Sequence, residues 1–170
     1  RRQTVWQLFE PCGCPERKLE EYNMLVGRGI LNLFRGALPE GRKDEETVMK
    51  MREYFVPYYN AHIDNLTRPY DGIMEMLDAI VREGIHLAIA SNKYQEGTEA
   101  LVKKYFGAYD FVCILGQREG RPIKPDPEII HEAMESLPGT TVAEVVYCGD
   151  SDVDMQTGIN AGVRTIGAAW

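Results

Sequence analysis

The chain has 170 residues, 44% of them hydrophobic, and a formal net charge of −7. That length suits one domain, or a core carrying a small insert, and the acidic balance argues against nucleic acid and anionic membrane surfaces as partners. No apolar run approaches the length of a membrane span and no stretch reads as a signal peptide; a cytoplasmic protein is expected from the cysteines, which read as free thiols.

From Arg1 to about Leu66 the chain carries no good strand. Val5, Leu8 and Phe9 share one face of a helix that should stop near Pro11-Cys12-Gly13. Leu19, Tyr22, Leu25 and Val26 have helical spacing, and so do Ile30, Leu31, Phe34 and Leu38, between Gly29 and Pro39. Val48, Met51, Phe55, Tyr58 and His62 mark a longer helix, capped by Asp44, with Glu45 and Glu46 in its first turn and Pro57 expected to kink or divide it. The Tyr-rich stretch Tyr54–Tyr59 is read as part of a core stripe rather than a ligand box. Residues 1–66 are therefore expected to form a small helical module.

From Thr67 the pattern changes. Arg68-Pro69-Tyr70-Asp71-Gly72 is a turn in which Asp71 can cap the next helix. Ile73, Met76, Leu77 and Ile80 form that helix's buried face, and Gly84 suits its end. Ile85–Ala90 is the first clear strand, with Ser91-Asn92-Lys93 at its carboxyl end. A polar helix runs to about Phe106, and Phe111–Leu115 is the second strand. After a polar loop over 117–121, Lys124-Pro125-Asp126-Pro127 enters a helix ending near Ser136, with Asp126 as its cap. Val145–Cys148 is a third, buried strand and Val163–Ala168 a fourth. The alternation argues for an α/β fold with a parallel sheet and right-handed crossovers over residues 67–170.

The four cysteines are Cys12, Cys14, Cys113 and Cys148. Cys12 and Cys14 are spaced too tightly for a usual zinc or redox pair, and all four read as free thiols in a reducing compartment. His62, His86 and His131 show no metal spacing and are given no catalytic role.

Polar groups gather where the strands end. Asp150, Asp152 and Asp154 follow the third strand at Gly149. Carboxylates at that density are stable together around a cation, and oxygen ligands suit Mg²⁺. The plainer alternative is an acidic helix start with Asp152 or Asp154 as its cap. Ser91 and Asn92 could donate hydrogen bonds to phosphoryl oxygens, or serve as ordinary loop residues. Lys124 could neutralise phosphate and carboxylate at once, or stand solvated before a proline. The set suits a phosphate held beside Mg²⁺ at the carboxyl edge of the sheet.

Ile89-Ala90-Ser91-Asn92-Lys93, Ile123-Lys124-Pro125 and Cys148-Gly149-Asp150-Ser151-Asp152-Val153-Asp154 resemble motifs II, III and IV of the haloacid dehalogenase superfamily, in its phosphoglycolate phosphatase-like branch. Pro69-Tyr70-Asp71-Gly72 and Asn160-Ala161-Gly162 also fit. The resemblance implies a Rossmann-like core over 67–170 and an α-helical cap over 1–66. It also implies Mg²⁺-dependent hydrolysis of a small phosphomonoester through an aspartyl-phosphate intermediate. By the same resemblance Ser91 binds the transferring phosphoryl group with Asn92 beside it, and Lys124 orients nucleophile and phosphate. Asp150 ligates Mg²⁺, while Asp154 positions Lys124 or a metal-bound water.

The nucleophile motif of that family, Asp-x-Asp-x-Thr or a close variant, is not found in the sequence, and the chain is expected to be part of a longer protein. Without the family's central first strand, the strands at Ile85 and Val145 should stand about 9–10 Å apart, twice the normal spacing.

Arg28, on the glycine-rich stretch Val26–Ile30, is a candidate for gripping a substrate carboxylate or second phosphate, or else a surface arginine on a turn. With Arg28 inward, 2-phosphoglycolate is the expected substrate. A sugar phosphomutase or pyrophosphatase on the same site, or a non-catalytic phosphometabolite-binding protein, are the alternatives. Phosphonate hydrolysis would need a Schiff-base lysine, and Lys18, Lys43 and Lys50 lack the apolar setting for one. The protein is expected to act on a small molecule as a monomer or homodimer.

Overall fold

The computed structural model describes residues 25, 27–63, 65 and 67–169. The helix predicted around Val5–Phe9, most of the one around Leu19–Val26, Cys12, Cys14 and Lys18 lie outside the described residues. The chain divides into two compact units between Thr67 and Arg68.

In the first unit, α1 (Ile30–Ala37) follows Gly29 and closes where the Leu38 N–H reaches the Phe34 carbonyl. Helix α2 (Glu45–His62) starts as predicted, with the Asp44 side chain accepting the Thr47 N–H at 2.9 Å. It is not divided at Pro57. Proline removes one helical hydrogen bond there, but packing on both sides holds the element together. Phe55 meets Phe34 edge-on at 5.2 Å and stacks on Tyr59 at 5.2 Å. Phe34, Ala37, Leu38, Val48, Met51 and Phe55 form the core, with Tyr58 and Tyr59 against it. The stripe reading holds for those aromatics; Tyr54, 67% exposed, lies outside it.

The second unit opens with α3 (Ile73–Arg82). Asp71 does not cap it: the N-cap is Gly72, left-handed at φ 83°, with no side-chain cap. Leu77 is buried as predicted, whereas Met76 faces out. Gly84, at φ 73°, ends the helix and bonds its N–H to the Val81 carbonyl, a conformation glycine adopts without steric cost.

Strand β1 (Leu87–Tyr94) starts two residues later than predicted and runs on through Ser91, Asn92 and Lys93. Its partner β2 (Phe111–Gln117) is likewise longer, because Tyr94 pairs with Gln117 beyond an irregularity in register. Helix α4 (Gln95–Phe106) connects them. Helix α5 (Glu128–Glu135) leads through a short 3₁₀ turn (Val142–Glu144) to β3 (Val146–Gly149), α6 (Asp152–Ala161) and β4 (Arg164–Gly167). Asp126 is not the cap of α5: the N-cap is Pro127, whose side chain can accept no hydrogen bond, and the Asp126 carboxylate accepts the Glu128 N–H at 2.9 Å from one residue further out.

Both strand pairs are parallel. They make two two-stranded sheets, β1–β2 and β3–β4, with no ladder between β1 and β3 among the described residues. This matches the expectation that these strands stand apart. The apolar cluster Leu115, Ile129, Ile130, Ala161 and Val163 spans β2, α5, the end of α6 and the residue before β4, so α5 ties the sheets into one core. The prediction that β3 is buried fails for its outward face. Val146 is 43% exposed and Cys148 is exposed too. Only the other face is covered, by α6, where a Cβ on Gly158 would stand 3.6 Å from Tyr147 Cβ of β3 and 2.1 Å from Thr165 Cγ2 of β4. Cys113 and Cys148 are free thiols. No described helix is long and apolar enough to cross a membrane.

Candidate active site

Helix α6 begins with a capping box. Ser151 is its N-cap; the Ser151 Oγ accepts the Asp154 N–H at 3.2 Å, and Asp154 at N3 reaches back. Asp154 Oδ2 accepts from Ser151 Oγ at 2.6 Å, the Ser151 N–H at 3.2 Å and the Asp150 N–H at 3.3 Å. Neither Asp152 nor Asp154 is the cap. The carboxylate can lie this close to the β3 end because residue 149 is glycine: a Cβ there would stand 2.3 Å from Asp154 Cβ.

Asp154 Oδ1 is left facing the core, where it pairs with Lys124 Nζ at 2.7 Å. The same ammonium donates to the Tyr147 hydroxyl at 2.9 Å and to the Ala90 carbonyl at 3.2 Å. Its three N–H bonds thus meet three acceptors, one from β1 and two from the β3–α6 segment. Tyr147 donates its own hydroxyl to Asp154 Oδ1 at 3.0 Å. The main chain of Lys124 is fixed as well: its N–H donates to Asn92 Oδ1 at 2.8 Å, and its carbonyl accepts from Asn92 Nδ2 at 3.2 Å. Lys124, Asp154 and Asn92 are all buried.

Burial pushes the Asp154 carboxyl up, but the hydrogen bonds from Lys124 and Ser151, the Lys124 charge and the Tyr147 hydroxyl outweigh it and hold the group below the usual carboxylate range. Burial, and then the negative charge of Asp154, push the Tyr147 phenol far above its ordinary range and keep it protonated.

The structure therefore brings Asn92, Lys124 and Asp154 together, with Ser91 next to Asn92 in β1 and Asp150 directly after β3. Ser91 is half-buried and its Oγ accepts the Lys93 N–H at 3.1 Å. Asn92 exchanges bonds with the Lys124 backbone, where the sequence suggested a donor to phosphoryl oxygens. Asp150 is exposed. Arg28 belongs to the other unit; it too is exposed, and its carbonyl accepts from Asn32 at 2.7 Å. Tyr147 and Ser151 were missed. Tyr147 read as strand core, but strand alternation puts it on the same face as Gly149, two residues on, and that parity was the available signal.

Beside Ser91 and Asn92 lies a hollow lined by Gln117, Arg118, Arg121 and Ile123. Its positive charges are balanced. Arg118 holds Glu132 through two bonds of 2.7 and 2.5 Å, and Arg121 pairs with Glu128.

Among the described residues no group of three or more His, Cys, Asp or Glu is placed to hold a metal ion. Both Asp154 oxygens are engaged by protein donors, and Asp150 and Asp152 are the exposed carboxylates beside it. Mg²⁺ keeps several waters and takes one or two carboxylates together with substrate phosphate. Asp150 fits that role as a single ligand.

A sequence profile of the haloacid dehalogenase-like hydrolases matches residues 2–168. The chain is 34% identical over 125 residues to "Pyrophosphatase PpaX" of Halalkalibacterium halodurans, an alignment covering 73% of this chain and 57% of the relative's length. It is 30% identical over 154 residues to a phosphoglycolate phosphatase of Thiobacillus denitrificans, covering 88% of this chain and 67% of that one. Its fold is similar to the crystal structure of a predicted phosphoglycolate phosphatase from Haemophilus somnus, with TM-score 0.86, 21% identity, and coverage of 98% of this chain and 76% of that one.

Proposed function

The chain belongs to the haloacid dehalogenase-like hydrolases, and on that premise we propose that it forms the greater part of a Mg²⁺-dependent phosphomonoesterase acting on a small phosphometabolite, 2-phosphoglycolate first. The observation that carries this reading is the buried Lys124–Asp154 pair at the strand ends, 2.7 Å between charged atoms. A cation fixed there supplies preorganised charge for a phosphoryl group in transfer.

In this reading a carboxylate attacks phosphorus, the alcohol leaves, and water then cleaves the aspartyl-phosphate. The attacking carboxylate is assigned to no residue of this chain. Ser91 donates its hydroxyl to a phosphoryl oxygen. Lys124 balances the charge of the phosphate. Asp154 keeps Lys124 in place, and Asn92 fixes the backbone that carries it. Asp150 is the ligand for Mg²⁺, which when bound offsets negative charge on the phosphoryl oxygens. Arg28, with the bidentate chemistry of its guanidinium, is assigned to the second anionic group of the substrate. Residues 1–66 act as the cap that selects the substrate, and residues 67–170 as the core that carries the chemistry.

Pyrophosphate hydrolysis is the second reading, favoured by the relative from Halalkalibacterium halodurans that carries that name. The test is phosphate release by the complete protein from 2-phosphoglycolate, pyrophosphate and a set of sugar and aryl phosphates, with Mg²⁺ and with chelator. Preference for 2-phosphoglycolate supports the first reading and preference for pyrophosphate the second. Release from none of them, by folded protein, removes both and leaves a phosphometabolite-binding role.

A further inference from the structure

The hydrogen bonds of Lys124 are unequal in a way that assigns work to a neighbour. Asp154 at 2.7 Å and Tyr147 at 2.9 Å are short contacts, both from the β3–α6 segment. The third, to the Ala90 carbonyl of β1, is 3.2 Å. The Tyr147 hydroxyl has one proton and two acceptors in reach: Asp154 Oδ1 at 3.0 Å and Ala90 O at 3.4 Å. The nearer and charged acceptor takes it. Tyr147 thus accepts from Lys124 and donates to Asp154, closing a three-membered ring of hydrogen bonds.

We propose that Tyr147 is a positioning residue of the phosphoryl-transfer site: with Asp154 it clamps Lys124 through two N–H bonds and reserves the third, now on Ala90 O, for a phosphoryl oxygen. This rests on the phosphatase reading for its purpose, though the clamp itself rests on geometry alone. An ammonium on a flexible four-carbon stem has no intrinsic direction. Asp154 alone would hold it at one point and leave it free to swing. Tyr147 adds a second point, and burial with the adjacent carboxylate keeps the phenol in the protonated form that both bonds need.

The test is Tyr147→Phe in the complete protein, with Tyr109→Phe as a matched control. Tyr109 donates its hydroxyl to Asp78 at 2.7 Å and takes no part in the site. Two readouts are needed. The first is steady-state phosphate release. Tyr147→Phe should lower kcat roughly tenfold or more, as expected for losing a hydrogen bond to a charged group, and leave KM within about twofold. The second is the acetylation rate of Lys124 by acetic anhydride on the native fold, read by mass spectrometry, which needs no activity. It should rise severalfold in Tyr147→Phe and stay at the wild-type value in Tyr109→Phe.

Unchanged labelling of Lys124 overturns the clamp. Faster labelling with unchanged kcat overturns the positioning role. If the wild type releases no phosphate from any ester, the phosphatase reading falls and the positioning role with it. Labelling then decides separately whether the clamp exists.

Discussion

Lys124 and Asp154 stand 30 residues apart in sequence, and their charged atoms meet at 2.7 Å, with each side chain about one-tenth exposed. Asp154 spends its other oxygen on the start of its own helix. One carboxylate therefore joins a local device, the capping box of α6, to a long-range one, the cation between β1 and β3. A change at either end should be felt at the other.

Replacing Asp154 with Asn keeps the shape but leaves the Lys124 ammonium buried beside a neutral group. Breaking a buried pair in this way costs about 3–5 kcal/mol. Asp154→Asn should lower the denaturation free energy by that order and suppress phosphate release. Urea denaturation monitored by circular dichroism measures it, and a loss below about 1 kcal/mol, the range of a surface pair, would show that the pair is not buried.

The acid limb of stability follows from the same carboxylate. Its folded pKa lies below the unfolded value. Its contribution is therefore complete above about pH 4, the ordinary range of an aspartate, and is lost as the pH falls through the folded pKa. Denaturation midpoints from pH 6 down to about pH 2 should fall more steeply in the wild type than in Asp154→Asn. Parallel curves would remove Asp154 as a source of the acid sensitivity.

Gly149 is the close approach that lets β3 end where Asp154 sits. An alanine Cβ would lie 2.3 Å from Asp154 Cβ and 2.4 Å from Cγ. Gly149→Ala must displace that carboxylate, so it should cost about 1–3 kcal/mol, as overpacking does, and lower kcat. Wild-type kcat in Gly149→Ala would mean that Asp154 can move without harm to Lys124.

The helices and strands of 67–169 were legible because each is punctuated: Gly84 ends α3, Asp126-Pro127 opens α5, and β-branched runs mark the strands. The strand ends were not. β1 and β2 run past their apolar stretches, since after an irregularity between Ala90 and Tyr94 the backbone pairing resumes at Tyr94 and Gln117. Asp71 looked like a cap, but the turn there is made by Gly72 in a left-handed conformation. The outward face of β3 was misjudged because an apolar run does not say how many of its faces are covered.

The buried pair of the candidate site, Lys124 with Asp154, was legible where charge and spacing coincide. Of the partners that hold it, Tyr147 is marked only by its strand parity with Gly149 and Ser151 only by the Ser-x-x-Asp spacing of a capping box, and the Ala90 carbonyl carries no signal of its own. A tyrosine in a strand is ordinary core, and a backbone carbonyl has no residue type. The division of labour within Asp154, one oxygen to Ser151 and one to Lys124, depends on side-chain directions that spacing does not fix.

The assignment of Arg28 has its own test. Arg28→Ala should raise KM for 2-phosphoglycolate by roughly tenfold or more, the scale of a lost charged hydrogen bond, and leave KM for a neutral aryl phosphate nearly unchanged. Equal effects on both substrates would place Arg28 outside substrate recognition.

The most direct test of the central claim is phosphate release from 2-phosphoglycolate by the complete protein, wild type against Lys124→Met, each with Mg²⁺ and with chelator. Release by the wild type should depend on Mg²⁺, and the variant should lose at least about a hundredfold, the scale of removing a preorganised charge-stabilising group. Release by Lys124→Met at the wild-type rate, or release by the wild type that is indifferent to chelator, would contradict the claim.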